Sequence, residues 1–488
     1  MKFKQISLLL LVGVISGCAL YGPSYNKPDA SAPRNWSSKD SLAKVESGVN
    51  LPDTAWWSSF NDQELDHLII DALANNNNIQ QAIGNIIQAQ GLLEQVKMGW
   101  VPTVSGQVGY TSTQALDTVP NTPSTSLSSG SANAAPVGYS AGLVPGYSLN
   151  IFQQIRNQDA YTANLAAMQY AKNAIRLSII SQVASSYFTL LGQDYQLRLQ
   201  KSLTADTLKQ LELGKDQYKQ GYISLLTLQT YQQQYYNAVA QIPIVQNNIV
   251  QTENALQVLL NKNPGYVKRG NRFINIKIDG IIPSDLPSSV LKNRPDIMQA
   301  EEQLKQANAN IGVATSSYFP NINLVGGLGS SSSSLSSLFS AGTNFWQQQL
   351  SVTMPFLNLS YLGTIKGAKG AYYTAYYNYI LTVKTAFSQV DGGLSQHQKL
   401  TDSYLLKKQQ YDSAKLAYII GDQRYKEGAD SYVTALNYKV TMDNAAITLT
   451  SSKLQQLQSI VTLYQYLAGG YNFNNTEKPN KFGDSHDS

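Results

Sequence analysis

Tyr218-Lys219-Gln220-Gly221 is followed by Ser224 and Thr227, and Tyr425-Lys426-Glu427-Gly428 is followed by Ser431 and Thr434. The two stretches lie 207 residues apart, each inside a long polar run with helical character. Glycine accepts the left-handed backbone that ends a helix, and a serine a few residues on caps the next one. Working outward, Ile79-Gln80-Gln81-Ala82 matches Ile297-Met298-Gln299-Ala300 at an offset of 218. Trp100-Val101-Pro102 pairs with Tyr318-Phe319-Pro320, and Gly109 with Gly327, at that same offset. One 11-residue difference reconciles the two offsets, and it falls in the Ser/Gly/Pro-rich stretches 111–138 and 329–343, which read as exposed loops. The chain of 488 residues is two similar halves, about 62–262 and 287–470.

Each half predicts the same order of elements. A helix (62–98 in the first half, 296–317 in the second) ends at an aromatic-x-Pro, where proline stops it and launches a strand. Strands are predicted at about 103–112, 138–149, 320–329 and 345–356. Helices follow over 155–217 and 362–424, then a glycine turn and another long helix. At 1.5 Å per residue the former pair reach about 95 Å, far longer than a globular domain requires. Arg294-Pro295-Asp296-Ile297 reads as a helix start, with proline early and an acid in the first turn. From Leu225 a 3-4 spacing runs through Leu228, Gln232, Tyr235, Val239, Ile242, Gln246, Ile249, Glu253 and Leu256 to Leu260. The shifted set from Tyr432 to Leu467 is as apolar, so supercoiled helices are predicted. Pro243 breaks the pattern and predicts a local bend.

Composition removes most enzyme readings. There are three His and one Cys, so a disulfide within the chain and Cys-rich metal sites are excluded. Charged residues make up 14% and the net charge is +5, with no concentrated basic face for nucleic acid. Residues 1–17 read as an export signal: Lys2 and Lys4, a short apolar core, then Ile15-Ser16-Gly17-Cys18. That ending resembles the bacterial lipobox, which predicts a covalent lipid on Cys18, cleavage before it, and a stable membrane anchor; by the same resemblance Ala19, where Asp would favour retention in the inner membrane, implies the outer membrane. No other cofactor is expected. No later stretch holds 18 unbroken apolar residues, so no spanning helix is expected.

The strands raise a physical problem. Val104, Gly106, Val108 and Tyr110 alternate with polar residues, as do Ile322, Leu324 and Gly326, which is the pattern of a membrane barrel. Trp100, Tyr110, Tyr318, Phe319, Phe345 and Trp346 suit its interfacial girdles. Open sheet edges cannot stand in hydrocarbon, and the smallest barrels use about eight strands. Four strands per chain must therefore close with other copies: two give a filled barrel, three an open lumen.

The halves, the lipobox, Arg294-Pro295-Asp296-Ile297, Tyr318-Phe319-Pro320 and the two Tyr-x-x-Gly-x-x-Ser turns resemble the TolC/OprM outer-membrane efflux family. More narrowly, they resemble its lipoprotein branch, the NodT-type factors of resistance-nodulation-division systems. The resemblance covers about 52–470. It implies a mainly α fold with a transmembrane β-barrel: a homotrimer with twelve strands in one outer-membrane barrel continuous with a tunnel of twelve long helices. The organisation it implies is a signal at 1–17, a lipidated extended segment at 18–61, repeat one at 62–262, an equatorial segment at 263–295, repeat two at 296–470 and a polar tail at 471–488. The implied function is the exit duct of a tripartite efflux pump, passively passing drugs or other small toxic compounds. Its implied partners are a periplasmic adaptor and an inner-membrane pump of the resistance-nodulation-division type.

By the same resemblance, Tyr218, Gly221, Ser224, Tyr425, Gly428 and Ser431 form the adaptor-contacting tips. Asp430, Val433, Thr434 and Asn437 sit where relatives close a periplasmic gate. Relatives often carry Asp at the position of Asn437, and some at that of Thr434; neutral residues here imply apolar closure with weak block by divalent cations. A type I protein-secretion duct and an adhesive lipoprotein using the Ser-rich loops 122–134 and 330–340 are the competing readings. The lipobox favours efflux over the first, and the matched turns argue against the second. No catalytic residue is predicted. Asp62, Glu64, Asp66 and His67 imitate a metal cluster but sit at a helix start, where acids favour the dipole. Tyr372, Tyr373, Tyr376, Tyr377 and Tyr379 are expected to pack between helices.

Overall fold

A computed structural model of the chain describes residues 22–29, 51–112, 137–276, 288–340 and 342–473. The signal, Cys18, the loop 122–134 and the tail beyond 473 lie outside the described residues. The elements form two compact units.

The first unit holds residues up to 27, 88–165 and 302–376, and its centre is one antiparallel sheet. Its strands are β1 (Thr103–Ser112), β2 (Val137–Leu149), β3 (Asn321–Ser332) and β4 (Asn344–Thr353). They are ordered β1-β2-β3-β4, so each strand pairs with its neighbour in sequence, and β1 and β4 are the two edges. Thr103 faces Gly146, Leu143 faces Leu328 and Leu324 faces Leu350, which fixes the register. Pro145 sits in the middle of β2 beside Gly326; a Cβ added to that glycine would lie 2.8 Å from the proline ring. Pairing between β2 and β3 lapses there, from Val144 to Pro145, because proline has no donor for the ladder.

The second unit is helical and includes residues 166–301 and 377–473. The helix expected over 62–98 is two: α1 (Gln63–Asn75) and α2 (Asn77–Met98). Asn76 is extended, with ψ at 128°. Its Nδ2 donates to the Leu259 carbonyl at 2.8 Å, while its Oδ1 accepts from the Asn78 N–H at 2.9 Å. The side chain thus replaces the helical bonds it interrupts. The Pro295 start is observed: α5 spans Pro295–Ser316.

Four longer helices complete the fold: α3 (Ile151–Lys219), α4 (Leu225–Leu259), α6 (Ser360–Lys426) and α7 (Tyr432–Tyr466). The 69 residues of α3 and the 67 of α6 each extend about 100 Å at helical rise. α4 is a continuous helix through Pro243. Within the second unit α7 lies between α3 and α6. Gln458 bonds Thr189 of α3 at 3.0 Å, Gln456 bonds Thr401 of α6 at 2.9 Å, and Ser459 meets His397 of α6 at 2.8 Å. α4 is held to α3 by Gln200 donating to the Ala238 carbonyl and by Thr252 donating to Gln193.

An aromatic cluster closes this unit. Trp56 stacks on Tyr464 at 4.7 Å, and Phe60 meets Phe188 edge-on at 4.8 Å. The buried Arg176 donates to the carbonyls of Tyr471 and Phe473, tying down the segment that follows α7. One 18-residue window of α3 is apolar and long enough to cross a membrane, yet 61% of it is buried within the protein, so it reads as core.

Candidate functional site

Two features can serve transport, and each follows from local chemistry. The first is the sheet. Strand alternation separates its faces: Val104, Val108, Leu143, Leu324, Leu328, Trp346 and Leu350 project to one side. Most of this side is uncovered by the described residues; Val108 is 86% and Trp346 73% exposed. Ser330, Ser332, Asn344 and Gln348 are polar exceptions on that side; the opposite side carries Thr103, Ser105, Gln107, Ser148, Asn323, Gln347 and Gln349, with Val144, Val325 and Phe345 as its apolar exceptions. None of the four strands contains Asp, Glu, Lys or Arg. One apolar face, one neutral polar face and two unpaired edges describe a segment of wall between lipid and water.

The second feature is the pair of helical turns. Gly221 has φ +79° and Gly428 has φ +74°. At the first turn the Gly221 N–H donates to Tyr218 and the Tyr222 N–H to Gln217, at 3.0 and 2.8 Å. At the second, Gly428 donates to Tyr425 and Ala429 to Arg424, again at 3.0 and 2.8 Å. These are Schellman closures, which satisfy carbonyls that the helix end would otherwise leave bare. The next helix opens in the same way twice, with Ser224 Oγ accepting from the Thr227 N–H and Ser431 Oγ from the Thr434 N–H, both at 3.2 Å. All six residues therefore lie in two turns with the same hydrogen-bond pattern.

Their side chains differ. Beside the first turn Tyr222 and Leu226 are exposed, at 76% and 78%. Beside the second, Val433, which is 207 positions after Leu226, is 8% exposed. Asp430 accepts a bond from the Arg424 guanidinium at 2.5 Å, so its charge is partnered within the chain. Thr434 is engaged in the cap with Ser431. Asn437 Oδ1 accepts from Gln210 Nε2, joining α7 to α3.

Deeper along the same contact, Lys439 bridges Asp206 of α3 and Asp443 of α7, each at 3.1 Å. Burial pushes the Asp443 carboxyl up to about 6, with the nearby Asp206 acting in the same direction and Lys439 opposing both. Sequence reading missed Asp206, Gln210, Lys439 and Asp443. The available signal was a charge on the predicted seam, Lys439, with an acid four residues on at Asp443.

Among the described residues no group of His, Cys, Asp and Glu is arranged to hold a metal. The cluster near Asp62 has another role: Asp62 caps α1 through the N–H groups of Glu64 and Leu65, and also accepts from the Tyr187 hydroxyl at 2.9 Å and the Asn271 N–H at 3.0 Å. Within the tyrosine run Tyr379 is buried and Tyr372 meets Tyr373 and Tyr376 at 6.1 and 6.4 Å, while Tyr373 and Tyr377 are exposed on the single protomer.

The sequence model for "Outer membrane efflux protein" matches residues 68–262 and 286–469, that is, both repeats. This chain belongs to the outer membrane efflux protein family. The solvent efflux pump outer membrane protein SrpC of Pseudomonas putida is 28% identical, over 96% of this chain and 99% of the relative. The probable outer membrane lipoprotein SilC of Salmonella typhimurium is 27% identical, over 96% and 99%. Among solved structures, the MtrE outer membrane channel of Neisseria gonorrhoeae superposes with a TM-score of 0.76 at 25% identity, covering 93% of this chain and 99% of that one. This efflux protein is an outer-membrane protein and the outer-membrane component of an efflux pump. Its four strands are its share of a barrel, and its long helices are the share of a tunnel that this family builds.

Proposed function

We propose that three copies of this chain close one twelve-stranded barrel and one helical tunnel, making a passive exit duct for small toxic compounds. The four-stranded sheet carries the reading: its apolar side needs lipid, its neutral side suits water, and its β1 and β4 edges need other copies. In this reading a periplasmic adaptor docks at Tyr218, Gly221 and Ser224 and at Tyr425, Gly428 and Ser431. An inner-membrane pump, of the resistance-nodulation-division type, supplies the energy. Asp430, Thr434 and Asn437 line the periplasmic mouth, whereas Val433, expected to close it, is packed inside the protomer behind them; with Asp430 partnered by Arg424, divalent cations should bind the mouth weakly.

The cargo class follows from the wall. A lining of Gln, Ser, Asn and Thr hydrates well and holds solutes weakly, so it passes amphipathic molecules of varied shape. The names of the relatives, solvent and toluene efflux, agree with apolar toxic cargo. Lipid on Cys18 would tether each copy in the same membrane. Neither step requires a cofactor or an enzymatic residue.

Accumulation of a fluorescent pump substrate tests the proposal. Cells lacking the protein should accumulate more dye, and the intact gene should reverse it. Leu324→Arg, which puts a charge on the lipid-facing side at a cost of about 2–4 kcal/mol near the bilayer centre, should fail to reverse it. Unchanged accumulation in the deletion strain, or full rescue by the arginine variant, would overturn the proposal.

A further inference from the structure

On the polar side of the sheet, one row of side chains is broken. Thr103 of β1 faces Gly146 of β2, Gly146 faces Val325 of β3, and Val325 faces Gln349 of β4. A glycine inside a strand weakens it, and often marks a place where a ligand or another backbone comes close. Two other glycines of β2 and β3 are forced by crowding: a Cβ on Gly142 would lie 2.7 Å from the Leu328 carbonyl oxygen, and one on Gly329 would strike that of Ala141. Gly146 is under no such constraint. Within 4 Å its added Cβ would meet only Thr103 Oγ1, at an ordinary 3.7 Å, and its φ lies outside the left-handed region.

The space above Gly146 belongs to a cavity of about 510 Å³, set where α2 gives way to β1. That volume is of the size that takes a small organic molecule. None of the residues lining it is charged. Met98, Val101 and Val325, all exposed in the protomer, supply an apolar wall on a side of the sheet that is otherwise mostly polar. The polar wall is largely engaged with itself: the Thr103 hydroxyl donates to the Gly146 carbonyl at 3.2 Å, and the Ser148 hydroxyl to Asn323 Oδ1 at 2.5 Å. Gln95 differs, because its side-chain amide makes no hydrogen bond to another described residue. An ion would find no counter-charge here, whereas an apolar body would find two valines and an adaptable thioether, with one amide for a polar end.

We propose that this cavity is a seat for an uncharged small molecule with an aromatic or alkyl body and one polar end, held on the water-facing side of the wall. That the occupant is cargo rests on the duct reading above; the binding does not. With no charge and one free amide, the seat releases its occupant quickly, as a duct requires.

Photo-cross-linking of the purified full chain in lipid nanodiscs with hydroxymethylbenzophenone tests the seat. Irradiation should label residues 95–101, Met98 above all, and the yield should saturate with probe concentration. Gly146→Leu, which fills the cavity from a position where a Cβ has room, should lower that labelling about tenfold or more. Val325→Asn should lower it several-fold. Gly106→Leu adds the same side chain on the lipid-facing side, where a Cβ meets nothing within 4 Å, and should leave the yield unchanged. The charged benzophenone carboxylate should label these residues several times less than the alcohol.

Equal labelling of the native and Gly146→Leu proteins would overturn the seat, as would a yield that rises linearly without saturating. Labelling confined to the lipid-facing Leu324, Leu328 and Trp346 would show partition into the bilayer, and no labelling at 95–101 would show the cavity covered by a neighbouring copy; either result also overturns it. The dye accumulation described above stays a separate readout. Saturable labelling in a protein whose deletion leaves accumulation unchanged would keep the seat and remove the duct.

Discussion

The helices α4 and α7 are counterparts in the two repeats, share a capping serine and a length of 35 residues, and are used in opposite ways. α7 buries sixteen of its residues inside the protomer, whereas α4 buries four. Counterpart positions show the divergence directly. Leu457 is fully buried and Val250 is 52% exposed; Asp443 is 2% exposed and Tyr236 is 58%. The duplicated backbone supplies turns and caps, and side chains alone decide which copy becomes core. α7 fills the space between α3 and α6, while α4 turns Tyr236, Ile244, Val250 and Val258 outward, a face suited to a neighbouring copy.

Truncation at matched positions should break the symmetry most clearly. Leu457→Ala should destabilise the helical unit by about 2–5 kcal/mol, whereas Val250→Ala should change it by less than about 0.5 kcal/mol in the dissociated protomer. Denaturant unfolding in detergent, followed by far-UV circular dichroism, measures both; equal losses would mean that α4 is as much a core helix as α7. The two turns should instead behave alike. Gly221→Ala and Gly428→Ala each place a side chain at positive φ with open space around it, at a cost of about 1–2 kcal/mol in backbone strain alone. A cost at only one turn would show that its partner relaxes out of the left-handed geometry.

The smallest effect concerns charge. Asp443 has its carboxyl raised to about 6 by burial, so it favours the folded state when protonated. That contribution is present in full below its unfolded value near 4 and is lost as the pH rises through about 6. Asp443→Asn should flatten the dependence of melting temperature on pH between 4 and 7, whereas Tyr236→Phe at the counterpart position should leave the slope unchanged. A persistent slope in the asparagine variant would assign it to another group.

Much of this was legible in the sequence because repeats and periodicity are local. The paired Tyr-x-x-Gly-x-x-Ser turns, the four alternating strands and the very long helices all follow from spacing that backbone geometry dictates. What stayed hidden depends on side chains far apart in sequence. The break at Asn76 depends on the carbonyl of Leu259, which no local pattern announces. The predicted seam on α4 ran from Leu225 to Leu260, yet Ala238 and Val245, just off it, are buried while Gln246 is exposed. On α7 the corresponding seam is buried at Ala435, Ala446, Lys453, Gln456, Ile460 and Leu463. A seam read from one helix gives a direction, but the neighbour on each side decides how wide the buried stripe becomes. The site followed the same division: the turn residues were readable, and the Asp206–Lys439–Asp443 bridge, which joins two repeats, was not.

The two open edges of the sheet carry a consequence for how the molecule reaches its membrane. β1 and β4 each run for ten residues, and on an edge about half of the backbone groups point away from the sheet. At several kcal/mol for each unmatched group in hydrocarbon, a lone protomer entering the bilayer would face a penalty on the order of tens of kcal/mol. In the proposed trimer, unassisted insertion one copy at a time is therefore unfavourable, and the edges of neighbouring copies must pair as they enter the lipid. The rate of arrival in the membrane should then climb more steeply than the amount of protein made, so that a cell producing half as much would hold far fewer than half as many finished ducts.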